Sequence, residues 1–112
     1  MMDFNSALGL TLAPDGTVVL DARPEHEVGP GFVHFAVIAT VAEVSAARAV
    51  GVAVVPAQVS LSLMAPARTG RLEGRGRVLR RGRRLAVAEG EVTQEGTLVA
   101  KATVTFAVQS AG

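Results

Sequence analysis

The sequence contains no cysteine, no tryptophan and no tyrosine, and only two histidines among 112 residues. Without cysteine there can be no disulfide, thiolate nucleophile, iron–sulfur cluster or cysteine-built zinc site. His26 and His34 alone are too few for a histidine-rich metal centre, so no metal site is expected. Four phenylalanines offer little surface for stacking bases, which argues against a single-strand nucleic-acid module. An excess of one charge is also missing. Eleven basic residues face ten acidic ones, so a net charge of +1 selects neither nucleic acid nor an anionic membrane as partner.

Long uninterrupted apolar runs are absent too. The most apolar stretch, 35–55, contains Glu43 and Arg48 and runs into Pro56, which fits a buried helix followed by a strand rather than a membrane span. The opening MMDFNSALGL has neither a basic segment nor a sustained apolar core, so no secretory leader is expected and the protein is read as soluble and cytoplasmic. What the chain does have is 49% hydrophobic residues at a length suited to one hydrophobic core, and we read 1–112 as a single domain.

Period-2 alternation dominates. Leu8, Leu10 and Leu12 lead into the turn Pro14-Asp15-Gly16 and the strand-like Thr17–Ala22, which predicts a hairpin. Arg23–Gly31, with Pro24, Gly29, Pro30 and Gly31, reads as an irregular loop. The segment His34–Val50 lacks Gly and Pro, is rich in Ala and ends at Gly51, which predicts a helix with a glycine C-cap. It is apolar almost all round, so it should be enclosed on most sides. Four strands follow, with turns at Pro66–Gly70, Arg81-Gly82-Arg83 and Gln94-Glu95-Gly96. Each is expected to bury one face and wet the other. In the first, Val55, Ala57, Val59, Leu61 and Leu63 form the apolar set. Hairpin, long helix and four-strand meander together predict an α+β fold, an antiparallel sheet wrapped around one central helix.

Glu43 is out of place in this pattern. It lies mid-helix among Ala, Val and Ile, and Arg48 is five residues on, outside the usual helical pairing distance. Ala36, Thr40, Glu43 and Ala47 share one stripe, and the small neighbours leave space over the carboxylate. A partly desolvated carboxylate has a raised pKa and suits general-base or nucleophilic work near neutral pH. His34 stands at the start of the same helix, where unpaired N–H groups and the positive dipole end can polarise a carbonyl.

Here the sequence resembles a known family. His34-Phe35-Ala36-Val37-Ile38-Ala39-Thr40-Val41-Ala42-Glu43 is similar to the hotdog-fold thioesterase motif His-Gly-Gly-x-x-Ala-Thr-Leu-Ala-Asp/Glu. The preceding Pro24-Glu25-His26-Glu27-Val28-Gly29-Pro30-Gly31 resembles that family's Pro-Glu-x-x-Asn-x-x-Gly approach loop. The likeness spans roughly residues 8–108 and points to the phenylacetate-pathway and 4-hydroxybenzoyl-CoA thioesterase branch. It implies hydrolysis of an acyl-CoA thioester at the interface of a homodimer or a dimer of dimers. No cofactor is implied, because coenzyme A belongs to the substrate. By the resemblance, Glu43 is the base or nucleophile, the Phe35 N–H polarises the thioester carbonyl, and His34 orients the acyl group. Val28, Thr40 and Ala47 fall at substrate-contacting positions. The chain departs from the motif at Phe35 and Ala36, which replace two glycines, at Val28, which replaces Asn, and at Ala47, where some members carry Thr or Ser. Those departures motivate an alternative, a hotdog protein that binds acyl-CoA or an apolar ligand without cleaving it.

Charge is segregated along the chain. Residues 68–84 carry eight arginines and one acid, Glu73, a net +7 that leaves −6 for the rest. Part of this is expected on a solvated sheet face. The hairpin tip with Arg80, Arg81, Arg83 and Arg84 is the candidate for the CoA phosphates, since guanidinium forks suit phosphate.

Overall fold

The computed structural model describes residues 3–109. A short helix α1 (Phe4–Leu8) is followed by β1 (Thr11–Leu12), β2 (Val18–Ala22), a 3₁₀ turn (Pro24–His26), β3 (Glu27–Gly29) and β4 (Phe32–Val33). The long helix α2 (Phe35–Val50) comes next. The chain ends in β5 (Val54–Leu63), β6 (Gly70–Arg81), β7 (Leu85–Gln94) and β8 (Thr97–Val108). Six strands form one antiparallel sheet in the order β1-β2-β6-β7-β8-β5, and β3 pairs with β4 apart from it. One long helix against a six-stranded antiparallel sheet is the hotdog arrangement expected from the sequence.

Glycine sets how closely the two layers approach. A Cβ built on Gly76 would lie 2.0 Å from the Ser45 carbonyl oxygen, and one on Gly90 would lie 2.0 Å from that of Ala42. No side chain fits there, so the helix backbone rests directly on β6 and β7. The helix supplies its own small residues, Ala42, Ser45 and Ala46, to the same seam, all buried. Ser45 satisfies its hydroxyl by donating to the Val41 carbonyl at 2.7 Å, so no polar atom is stranded. Around this seam Phe106, Leu20, Leu72, Val41, Val92, Val99 and Val104 fill the core. Fully burying a side chain such as Phe106 stabilises by about 1.5–3 kcal/mol.

Four expectations need correction. The Leu8–Leu12 alternation is not one strand. Asp3 caps a helical turn by accepting the Ser6 N–H at 2.8 Å, and Gly9 closes it in the left-handed region (φ 106°), leaving two residues to pair with β2. The 23–31 segment is not an irregular loop, because Pro24–His26 form a 3₁₀ turn and Glu27–Gly29 pair with β4, while Arg68 donates to the Gly31 carbonyl at 3.3 Å. The helix begins at Phe35, and His34 is its cap.

The fourth correction concerns β5. A bulge between Pro56 and Gln58 shifts its register on β8, so Val55 and Val59 do not share a face. Val59, Leu61 and Leu63 pair with the core-facing Val104, Ala102 and Ala100, but only Leu61 packs against the core. Val59 remains 46% exposed and Leu63 54% exposed. The sheet therefore encloses α2 on one side only, and the flank toward β5 is open within a single chain.

Candidate functional site

The entry to α2 is fixed by backbone bonds. The His34 N–H donates to the His26 carbonyl at 2.9 Å, and the Val33 N–H donates to the Ala67 carbonyl at 2.9 Å. His34 Nδ1 accepts the Ala36 N–H at 2.9 Å, which leaves Nε2 as the ring's proton-bearing nitrogen. The Phe35 ring stacks on the His34 imidazole with centroids 4.7 Å apart. Among the described residues the Phe35 N–H has no acceptor. It is a free donor at the positive end of a 16-residue helix.

Glu43 lies two turns further along. It is half-buried and makes no ion pair among the described residues, and desolvation pushes its carboxyl above the usual Glu range. It opens into a cavity of about 520 Å³ together with Asn5, Ala47, Arg48 and the Gly51–Val54 stretch. A carboxylate held this way is more basic than a fully solvated one, which suits it to accepting a proton.

The helix N-terminus faces different space. Phe32, Phe35, Ile38, Leu63 and Met64 are among the residues lining a second, mostly apolar cavity of about 280 Å³. Glu43 is eight residue steps along the helix from Phe35, about 12 Å at 1.5 Å per residue. One chain therefore does not bring its own Glu43 and its own Phe35 N–H to a common point.

The remaining residues singled out from sequence divide. Ala47 lines the Glu43 cavity, whereas Thr40 turns its hydroxyl back to the Ala36 carbonyl at 2.8 Å. Val28 projects from β3, 69% exposed, and lines neither cavity. Arg81 donates to the Val50 carbonyl at 2.8 Å, capping the C-terminal end of α2. Arg80 and Arg84 flank a groove of about 390 Å³ with Gly82, Leu85, Val87 and Thr105, and Arg83 is exposed beside it.

The basic stretch is less bare than its local count implies. Arg77 bonds Glu89 through Nε at 3.0 Å, Arg75 stands opposite Glu91, and Arg71 meets Glu73 at 3.1 Å. The cross-strand acids Glu89 and Glu91 lie on β7, outside residues 68–84. Asn5 and Arg48 also border the Glu43 cavity, and the sequence pattern does not point to either as its neighbour. Arg48 makes no ion pair with Glu43 among the described residues, as its helical spacing implies, and nothing local in the sequence ties Asn5 to a helix thirty residues away.

The family model described as the acyl-CoA thioesterase N-terminal domain matches residues 24–107. Among solved structures, a candidate thioesterase related to phenylacetic acid degradation from Ralstonia eutropha is 29% identical with a TM-score of 0.84, over 93% of this chain and 88% of that one. A Thermus thermophilus protein is 30% identical with a TM-score of 0.83, over 97% and 100%. A candidate esterase from Mycobacterium tuberculosis is 28% identical with a TM-score of 0.82, over 97% and 98%. No curated protein matches. With three-quarters of its length under the family model and its fold shared end to end, the chain belongs to the acyl-CoA thioesterase family.

Proposed function

We propose that the protein hydrolyses an acyl-CoA thioester at a site completed by a second copy of the chain, with Glu43 of one copy facing the Phe35 N–H of the other. The observation that carries this reading is the separation of the two groups within one chain. Each opens into its own cavity, yet the reaction needs both at one carbonyl. The uncovered apolar flank and the ten-residue edge strand β5 support self-association, since a long apolar edge is a template for pairing.

In this reading Glu43 removes a proton from water. The resulting hydroxide bonds to the thioester carbon, and the carbonyl pair moves onto oxygen, where the Phe35 N–H holds it. Collapse re-forms the carbonyl and breaks the C–S bond, and the proton passes from Glu43 to the thiolate, giving free acid and CoA thiol. Atoms balance with water alone. The raised carboxyl pKa of Glu43 suits this role, because a more basic carboxylate takes a proton better. His34, with Nδ1 committed to the helix backbone, offers Nε2–H to orient the acyl group. Arg80, Arg83 and Arg84 take the CoA phosphates, and Arg81 stays on the helix end.

The test is thiol release from a panel of acyl-CoAs. Glu43→Ala is expected to lower kcat by at least ~10²-fold with KM changing less. Undiminished turnover in that variant would remove the assignment. The wild-type rate should rise with pH through an inflection above the ordinary Glu value and then level, because the ionised carboxylate is the active form. The Phe35 ring, standing at the helix entry where the family motif has glycine, favours one competing reading, binding without cleavage. Saturable acyl-CoA binding with no thiol release would select it.

A further inference from the structure

Phe35 holds two positions at once. Its N–H is an unpartnered donor at the start of α2, and the residue is 56% exposed, with its ring stacked on His34 and the residue lining the 280 Å³ apolar cavity. A thioester whose carbonyl oxygen meets that N–H has its acyl chain leaving the carbonyl carbon next to the same residue's side chain. The other walls are Phe32, Ile38, Leu63, Met64 and the Ala65–Ala67 turn, so the lining accepts an apolar group and offers a charged one nothing. Within one chain its volume is about 280 Å³, room for a compact apolar group. The Arg68 guanidinium lies 5.1 Å over the Phe32 ring, a cation–π contact at the outer side of that wall. Phe35 has no comparable anchor beyond the His34 ring.

We propose that Phe35 is a specificity-determining residue that sets an upper limit on the acyl group, admitting a compact apolar acyl chain or ring and excluding long straight chains. The proposal rests on the hydrolysis reading for its geometry, but it concerns a different property, the size of what is bound. Truncating the ring leaves the backbone N–H in place and removes only the wall. Alanine is a good helix former and the side chain is exposed, so folding is little affected.

The experiment measures kcat/KM for butyryl-, hexanoyl-, octanoyl-, dodecanoyl- and palmitoyl-CoA with wild type, Phe35→Ala and Phe35→Leu. Binding of the matching S-alkyl-CoA thioethers, which cannot be hydrolysed, is measured in parallel by calorimetry. Loss of the stacking on His34 would change all substrates together, so the readout is the ratio between chain lengths, from which a uniform effect cancels. Wild type is expected to favour the short members. Phe35→Ala should raise the dodecanoyl-to-butyryl ratio at least tenfold, with Phe35→Leu between, and thioether affinities should follow the same order. A profile unchanged by either variant overturns the proposal even where thiol is released. A shifted thioether profile with no thiol released from any substrate keeps the size limit and defeats hydrolysis instead. Failure to bind any thioether overturns both.

Discussion

The two flanks of α2 are built to opposite rules. Toward β6 and β7 the helix touches the sheet backbone to backbone, with glycine where any side chain would collide. Toward β5 it touches little, and Val59 and Leu63 of the inner sheet face stay exposed. The first flank has no spare volume where glycine meets the helix, and a side chain at Gly76 or Gly90 would collide with the helix backbone. The second has unused apolar surface and the cavities, and Phe35 and Glu43 both lie at cavities on it. Fold and chemistry are thus kept on different sides of one helix, and a substitution that damages one side need not touch the other.

The largest effect should come from breaking the closed flank. In Gly90→Val the new Cβ meets a backbone oxygen rather than a movable side-chain tip, so the helix itself must shift. The expected cost is about 3 kcal/mol or more, at the top of the usual overpacking range. For a domain of this size that lowers Tm by roughly 12 °C or more, measurable by thermal unfolding followed by circular dichroism. Gly29→Ala is the control. A Cβ there meets nothing within 4 Å, and its backbone is not left-handed, so Tm should barely move. Equal losses in both variants would mean that the close approach at Gly90 is not what holds the layers together.

The open flank should respond differently. Val59→Lys places a charge on the exposed inner face of the edge strand, a change that discourages strand pairing while leaving the monomer core untouched. Sedimentation velocity is expected to show the wild type as an assembly and the variant as a monomer. Thiol release should fall with it, by an amount similar to Glu43→Ala, because a monomer holds only half of each site. A fully active monomeric variant would contradict the shared-site reading while leaving the closed flank as described.

The contrast also explains what the sequence could and could not reveal. The four long strands follow from alternation, and the helix follows from its run free of Gly and Pro ended by Gly51. Those signals are local, one residue type after another. The bulge between Pro56 and Gln58 is not, because it depends on how β5 meets β8, and without it the apolar set Val55-Ala57-Val59 looks continuous. The five-residue helix α1 was legible in principle, bracketed by Asp3 and Gly9, but alternating leucines beside it gave a stronger and misleading period. Glu43 stood out because a carboxylate in an apolar helix violates the surrounding pattern. Asn5 did not, since its place in that cavity comes from packing between elements far apart in the chain.

The smallest predicted effect lies on the sheet face turned away from the helix, behind the closed flank. Glu89 is 5% exposed, and bonds from Arg77 and, at 3.1 Å, from Lys101 hold its carboxyl below the ordinary Glu range. A carboxyl whose folded-state pKa is depressed adds stability above its unfolded pKa, about 4.3, and loses that contribution as pH falls through the lower folded value. Both cations face water, Arg77 at 70% side-chain exposure, so screening limits the contribution to about 1 kcal/mol. Glu89→Gln should therefore lower Tm by a few degrees at neutral pH. That difference from wild type should narrow as the solution is acidified below the Glu range, and it should also shrink in high salt. A gap that persists unchanged through acid would show that packing of the side chain, rather than its charge, is what β7 needs at that position. The outer face would then be governed by the same steric rule as the glycine seam beneath it.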